Sequence, residues 1–252
     1  MSTFFLQCKS LKYGDILLAV CGDSFTSIDS RFESGIQWPY LLGQKLNTPT
    51  ICFGRGGADS LYIHSQVKYA IEHFSPEYML VWCTSPDRFM FPIDSSKELG
   101  DLTANKVKSH FGFYNKQGVF TNFEKNFVYD DYEELYGSDH VSSFSERNDV
   151  SDKFKQAFDM HLTHLYAGGI NQYIKKMSVE HIYFLCDSLK IKTVIVDTHQ
   201  TNPTNYKYNL PQSNFVKIIS LDFDIGSGAD MSNHISLEYH QSLADYLHTF
   251  YK

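Results

Sequence analysis

Along the first ninety residues, short apolar runs alternate with segments of helical periodicity, and that alternation predicts the architecture. Asp15–Cys21 (DILLAVC) is apolar from Ile16 onward and ends at Gly22, the pattern of a strand buried on both faces. Trp38–Leu46 then sets Leu41, Leu42 and Leu46 at helical spacing behind Pro39, a residue favoured in a helix's first turn. Thr48–Phe53 is a second strand, closed by the glycine-rich Gly54–Gly57. Ser60–Phe74 carries the helical stripe Leu61, Ile63, Val67, Ala70, Ile71, Phe74, and Tyr78–Thr84 (YMLVWCT) is a third buried strand. Strand, helix, strand, helix, strand at this spacing predicts βαβ units and a parallel sheet.

The regularity breaks after Arg88. From about Asp94 to Met160 the chain is rich in Tyr, Phe, Asp, Glu and Ser. This stretch is too long and aromatic for a plain loop. It is also too polar to be expected to continue the sheet, and it is expected to pack as an insertion over one end of the core. The earlier pattern then returns. Ile170–Leu189 is expected as a helix, Thr193–Asp197 and Phe215–Leu221 as strands, and Leu237–Tyr251 as a closing helix with Leu243, Ala244, Leu247 and Phe250 on one face. The expectation is one α/β domain over residues 1–252 with an insertion at about 94–160.

Composition narrows the classes of function. A net charge of −7 with scattered basic residues argues against nucleic acid as a partner, because phosphate neutralisation needs a basic stripe. No apolar run approaches the ~20 residues that span a bilayer, and Met1–Ser10 lacks the apolar centre of a secretory signal. Neither a membrane span nor export is therefore expected. The five cysteines (Cys8, Cys21, Cys52, Cys83, Cys186) are far apart, with no Cys-x-x-Cys pair. Neither a zinc site nor a disulfide framework is implied, and Cys21, Cys52 and Cys83 read as buried, inert thiols. No cofactor or metal is expected. His161 and His164 share a helical spacing but have no third ligand at fixed distance.

Candidate chemistry begins at Gly22-Asp23-Ser24-Phe25, directly after the first predicted strand. Sites in open α/β sheets form at the carboxyl ends of strands. A serine in such a turn can lie beside backbone N–H groups able to hold an oxyanion. The plainer alternative is that Asp23 and Ser24 cap a helix. A serine nucleophile needs a base. Among the histidines, His234 stands out in the polar stretch Ser232-Asn233-His234-Ile235-Ser236 before the last helix. His240, six residues on, is expected to pack.

Taken together, these segments resemble the SGNH (GDSL-type) hydrolases, serine esterases with a flavodoxin-like three-layer α/β/α sandwich around a central parallel sheet. Gly22-Asp23-Ser24 matches the family's first block, with Ser24 in the nucleophile's place. Trp38-Pro39-Tyr40-Leu41-Leu42 resembles the helix that follows it. Gly54-Arg55-Gly56-Gly57 matches the second block, and the resemblance implies that Gly57 gives a backbone N–H to the oxyanion. His234-Ile235-Ser236, followed by His240 and an apolar helix, resembles the last block, with His234 as the base.

The chain departs from the family at two places. The third block normally carries an Asn as oxyanion donor, whereas here Cys83-Thr84-Ser85-Pro86-Asp87-Arg88 puts Ser85 at that position, with Thr84 beside it. The family's Asp lies three residues before the His, where this chain has Met231. Asp230 is four before, and Asp197 and Asp222 are its competitors, with Asn233 as a neutral substitute. The resemblance implies a serine-dependent carboxylic-ester hydrolase acting on a small-molecule or glycan ester, with O-acetylated carbohydrate as the first candidate. The aromatic insertion has the residues to stack on sugar rings, or equally to build a core of its own. The chain also looks similar to SGNH-like proteins of tailed phages. The alternative from another class is accordingly a degenerate SGNH-fold structural or binding protein, for example a virion component, associated with a virion or with further copies of itself.

Overall fold

The computed structural model describes residues 17–27, 34–55, 58–86, 90–92, 109–114, 120–125, 135–137, 153, 156, 160, 164, 169–197, 208–221, 235 and 238–252. The predicted alternation is present. Strand β1 (Leu18–Cys21), helix α1 (Trp38–Lys45), β2 (Thr50–Cys52), α2 (Ser60–Phe74) and β3 (Tyr78–Cys83) follow in turn. After the mid-chain strands come α3 (Ile170–Ser188), β8 (Lys192–Asp197), β9 (Val216–Ile219) and α4 (Tyr239–His248), the last ending in a 3-10 turn at Thr249–Tyr251.

β2, β1, β3, β8 and β9 lie side by side in that order, all parallel. Counting parallel strands alone, this is the 2-1-3-4-5 order of doubly wound flavodoxin-like sheets, in which the direction of winding reverses between β1 and β3. Strand alternation sends Leu17, Ala19 and Cys21 to one face, with Met79, Val81, Cys83 and Ile195. Ile63 and Val67 of α2 and Val179 and Ile182 of α3 cover them. Leu18, Val20, Leu80, Trp82, Val194 and Val196 point to the other face, under Trp38 and Leu42 of α1 and Leu243 and Leu247 of α4. The result is a helix–sheet–helix sandwich with a core on each side of the sheet. Pro39 stands in the first turn of α1, and Asp59 caps α2 by accepting the Tyr62 N–H at 2.7 Å.

One expectation fails in the mid-chain region. Ser109–Tyr114 (β5) pairs antiparallel with β2, and Phe120–Lys125 (β6) pairs antiparallel with β5, so part of the segment does continue the sheet. The polar content misled because SHFGFY and FTNFEK each mix polar and aromatic positions. Antiparallel strands tolerate such mixing, since only one face needs a core. Met90–Pro92 (β4) and Leu135–Gly137 (β7) form a separate two-stranded antiparallel pair.

Candidate active site

The turn after β1 is built on two close contacts. The Gly22 N–H donates to Oε1 of Gln66 on α2 at 2.7 Å, and Nε2 of the same amide donates back to the Gly22 carbonyl at 3.1 Å. A Cβ on Gly22 would stand 2.8 Å from the Thr26 side chain and 2.9 Å from Trp82 Cβ, at a φ of +155°. Only glycine fits there. The chain then folds back, with the Thr26 N–H donating to the Asp23 carbonyl at 3.1 Å. Asp23, 1% exposed, accepts the Phe25 N–H on Oδ1 at 3.0 Å. Ser24 sits half-buried at the corner of this turn, and its carbonyl accepts the Ser27 hydroxyl at 2.8 Å. No helix begins at Ser24, so the capping alternative gives way to a turn that Asp23 shapes.

The loop after β2 lies directly against this turn. A Cβ on Gly54 would meet Thr26 Oγ1 at 2.2 Å and Ser27 N at 2.4 Å, so the two backbones touch where any side chain would part them. The Arg55 N–H donates to the Gly22 carbonyl at 3.2 Å, and the Ala58 N–H returns to the Arg55 carbonyl at 3.3 Å. Gly57, expected to supply an N–H, falls between these anchors and outside the described residues.

The end of β3 adjoins the serine turn from the other side, because Cys21 and Val81 are in register. Thr84 is fully buried, and among the described residues neither its hydroxyl nor the buried Trp82 indole N–H has a hydrogen-bond partner. Ser85 follows, half-buried. Phe25 stacks on Trp82 with ring centroids 5.6 Å apart, and the Trp38 indole donates to the Phe25 carbonyl at 3.0 Å. Ile235 is buried in this same aromatic core. The neighbours in sequence of both Ser24 and His234 are therefore fixed in one core. His234 itself lies outside the described residues, as do Asp230, Asp222 and Asn233. His240 packs as expected, accepting the Trp38 N–H on Nδ1 at 3.1 Å.

The opposite face of the same sheet edge holds a closed polar cluster that the sequence reading missed. Asp197, at the end of β8, receives Lys175 Nζ on Oδ1 and the Tyr208 hydroxyl on Oδ2, each at 2.7 Å. Lys175 comes from α3 and is almost wholly buried. Burial, with the Asp197 charge second, pushes the Tyr208 hydroxyl well above its ordinary range. Cys83 is raised for the same two reasons, with Lys175 opposing. The other described cysteines, Cys21, Cys52 and Cys186, are likewise buried and free, and desolvation raises all three. They are inert thiols, not nucleophiles. The missed signal was Lys175 standing among Asn171, Ser178, Val179 and Ile182 at core spacing, where an unpaired lysine would be very costly.

Of the other histidines, His164 is exposed, and His73 stacks on Tyr69 at 3.9 Å between centroids. His64 on α2 meets His181 on α3, with Nε2 2.6 Å from Nδ1. The described residues hold no group of three His, Cys, Asp or Glu able to bind a metal, and none of their helices is long and apolar enough to cross a membrane. Compared with family models and with curated proteins, the chain matches none.

Proposed function

We propose that the chain is a serine-dependent carboxylic-ester hydrolase, with Ser24 as nucleophile and His234 as base. The observation that carries this reading is the Thr84 hydroxyl, buried and without a partner among the described residues, just past the end of β3 and next to a half-buried serine turn at the winding reversal of the sheet. A buried donor without a partner carries a desolvation cost that folding alone does not repay, and a reacting oxyanion is a use for it.

In this reading His234 takes the Ser24 proton as Oγ attacks the ester carbonyl. The tetrahedral oxyanion is held by the backbone N–H groups of Ser24 and Gly57 and by a hydroxyl from the Thr84–Ser85 pair. His234 then protonates the departing alcohol, and water activated by the same imidazole releases the acid from the acyl-enzyme. Thr84 takes the role that the family resemblance gave to Ser85, because its hydroxyl is unsatisfied among the described residues. Asp230 is the proposed orienting carboxylate. Asp197 is less suited, since its two oxygens already serve Lys175 and Tyr208 on the other face. The substrate class is an acyl ester of a small molecule or glycan.

The test is hydrolysis of p-nitrophenyl acetate together with labelling by a fluorophosphonate. The wild type should turn over the ester and take the label on Ser24. Ser24→Ala should lose the label and fall roughly 1,000-fold or more, since no acyl-enzyme can form. An unlabelled wild-type Ser24 would overturn the catalytic reading in favour of a binding or structural protein, whatever the natural ester.

A further inference from the structure

Helix α3 turns an unusual set of side chains to solvent. Ile170, Tyr173, Met177, His181 and Phe184 form one exposed stripe along it. Tyr173, Met177 and Phe184 are exposed by 59%, 52% and 50%, and Leu61 on the neighbouring α2 by 52%. By contrast, the exposed positions of α4 are Gln241, Ser242 and Asp245. Among the described residues, α1 and α4 expose no large apolar side chain.

The stripe is symmetric about its middle. Its steps are three, four, four and three residues, so Met177 is the centre, with Tyr173 and His181 four away and Ile170 and Phe184 seven away. A second α3 laid antiparallel, with a two-fold axis through Met177, sets Ile170 against Phe184, Tyr173 against His181 and Met177 against itself. Self-complementarity of this kind is what an isologous interface requires. The size also fits. At half exposure, five large side chains offer on the order of 400–500 Å² per copy, at the upper end of what a monomer usually leaves bare. Two such faces bury about 1,000 Å² before flanking residues are added, close to the ~1,200 Å² at which specific interfaces begin. The stripe carries no fixed charge. Beside it Lys176 already neutralises Glu180 at 3.7 Å, so no like charges oppose one another.

We infer that the chain forms a two-fold homodimer through antiparallel α3 helices centred on Met177. The full chain should sediment at twice the 29.0 kDa of one copy at micromolar concentration. Met177→Glu should weaken association at least 100-fold while leaving far-UV circular dichroism unchanged, and its Tm should match that of wild type diluted to the monomer, since the side chain stands in solvent in the single copy. Geometry is read separately in a Cys8→Ser background under mild oxidation. Met177→Cys, on the axis, should form a disulfide with its own copy. Ser188→Cys should not, because eleven residues of helix hold it ~16 Å from the axis. A wild type that stays monomeric at about 100 µM, or a Met177→Glu protein that dimerises as before, overturns the inference. So does a dimer that crosslinks at position 188 but not at 177. None of these readouts depends on ester hydrolysis.

Discussion

The two faces of the sheet differ most at its carboxyl edge. On the α2/α3 side, Asp197, Lys175 and Tyr208 close on one another, and Gln66 closes on Gly22. On the α1/α4 side the same edge ends in Phe25 stacked on Trp82, with Trp38 tilted against it, and the Thr84 hydroxyl and the Trp82 N–H are left over among the described residues. The α2/α3 side holds the strand ends together with Asp197, Lys175, Tyr208 and Gln66, leaving Nδ2 of Asn171 unpaired among the described residues, whereas the α1/α4 side leaves two donors unpaired at the end of β3. The Asp197–Lys175 pair, with both carboxylate oxygens engaged, is a fastening, and buried charge by itself does not mark a site.

This contrast makes opposite demands of mutants on the two faces. The largest effect is expected from Lys175→Met, which strands the Asp197 charge. Denaturant unfolding should show a loss of about 3–5 kcal/mol, and Lys175→Met with Asp197→Asn should recover most of it, because Asn still accepts from Tyr208. If the single mutant is as stable as wild type, the closed cluster is not a fastening. Thr84→Val tests the other face. Its shape is conserved and an unsatisfied hydroxyl is removed, so Tm should hold or rise, while kcat for an activated ester should drop ~100-fold. Falling stability with unchanged kcat would reverse the assignment of the two faces.

The smallest effect belongs to His64, outside the edge. Burial first, then His181 across from α3 and Lys68 on its own helix, bring its pKa from 6.5 down to about 4. The unfolded chain therefore binds a proton between those values that the folded chain refuses, and stability falls as pH drops through that window. His64→Gln should flatten the plot of Tm against pH from 6.5 to 4 and leave it unchanged above 7. An equally steep plot for the variant would place the acid sensitivity elsewhere.

The parallel core was legible because its inner strands are buried on both faces and its helices on one, so period and apolar runs announce them. β5 and β6 were not, since Ser109–Tyr114 and Phe120–Lys125 lack a clean apolar face. Gly22, Ser24 and Gly54 could be placed from spacing, because a strand end followed by glycine has few uses other than a tight turn. Lys175 and Tyr208 could not be paired with Asp197 that way. Their partnership spans two elements and a loop, and no local period records which buried lysine faces which carboxylate. Thr84 and Ser85 were adjacent candidates, and only burial with an unmet hydrogen bond separates them.

The parallel neighbours β3 and β8 are also separated in sequence by everything between Cys83 and Lys192. Closing a loop of roughly a hundred residues instead of thirty costs only about 1 kcal/mol more, since loop entropy grows with the logarithm of length. The consequence lies in speed rather than stability. Until β8 finds the edge of β3, the Met79–Val81 and Leu80–Trp82 rows stay uncovered, and pairing across such a distance is slow. Refolding should pass through a collapsed state of the first three parallel strands, in which the nascent sheet is open on its β3 side and most exposed to aggregation.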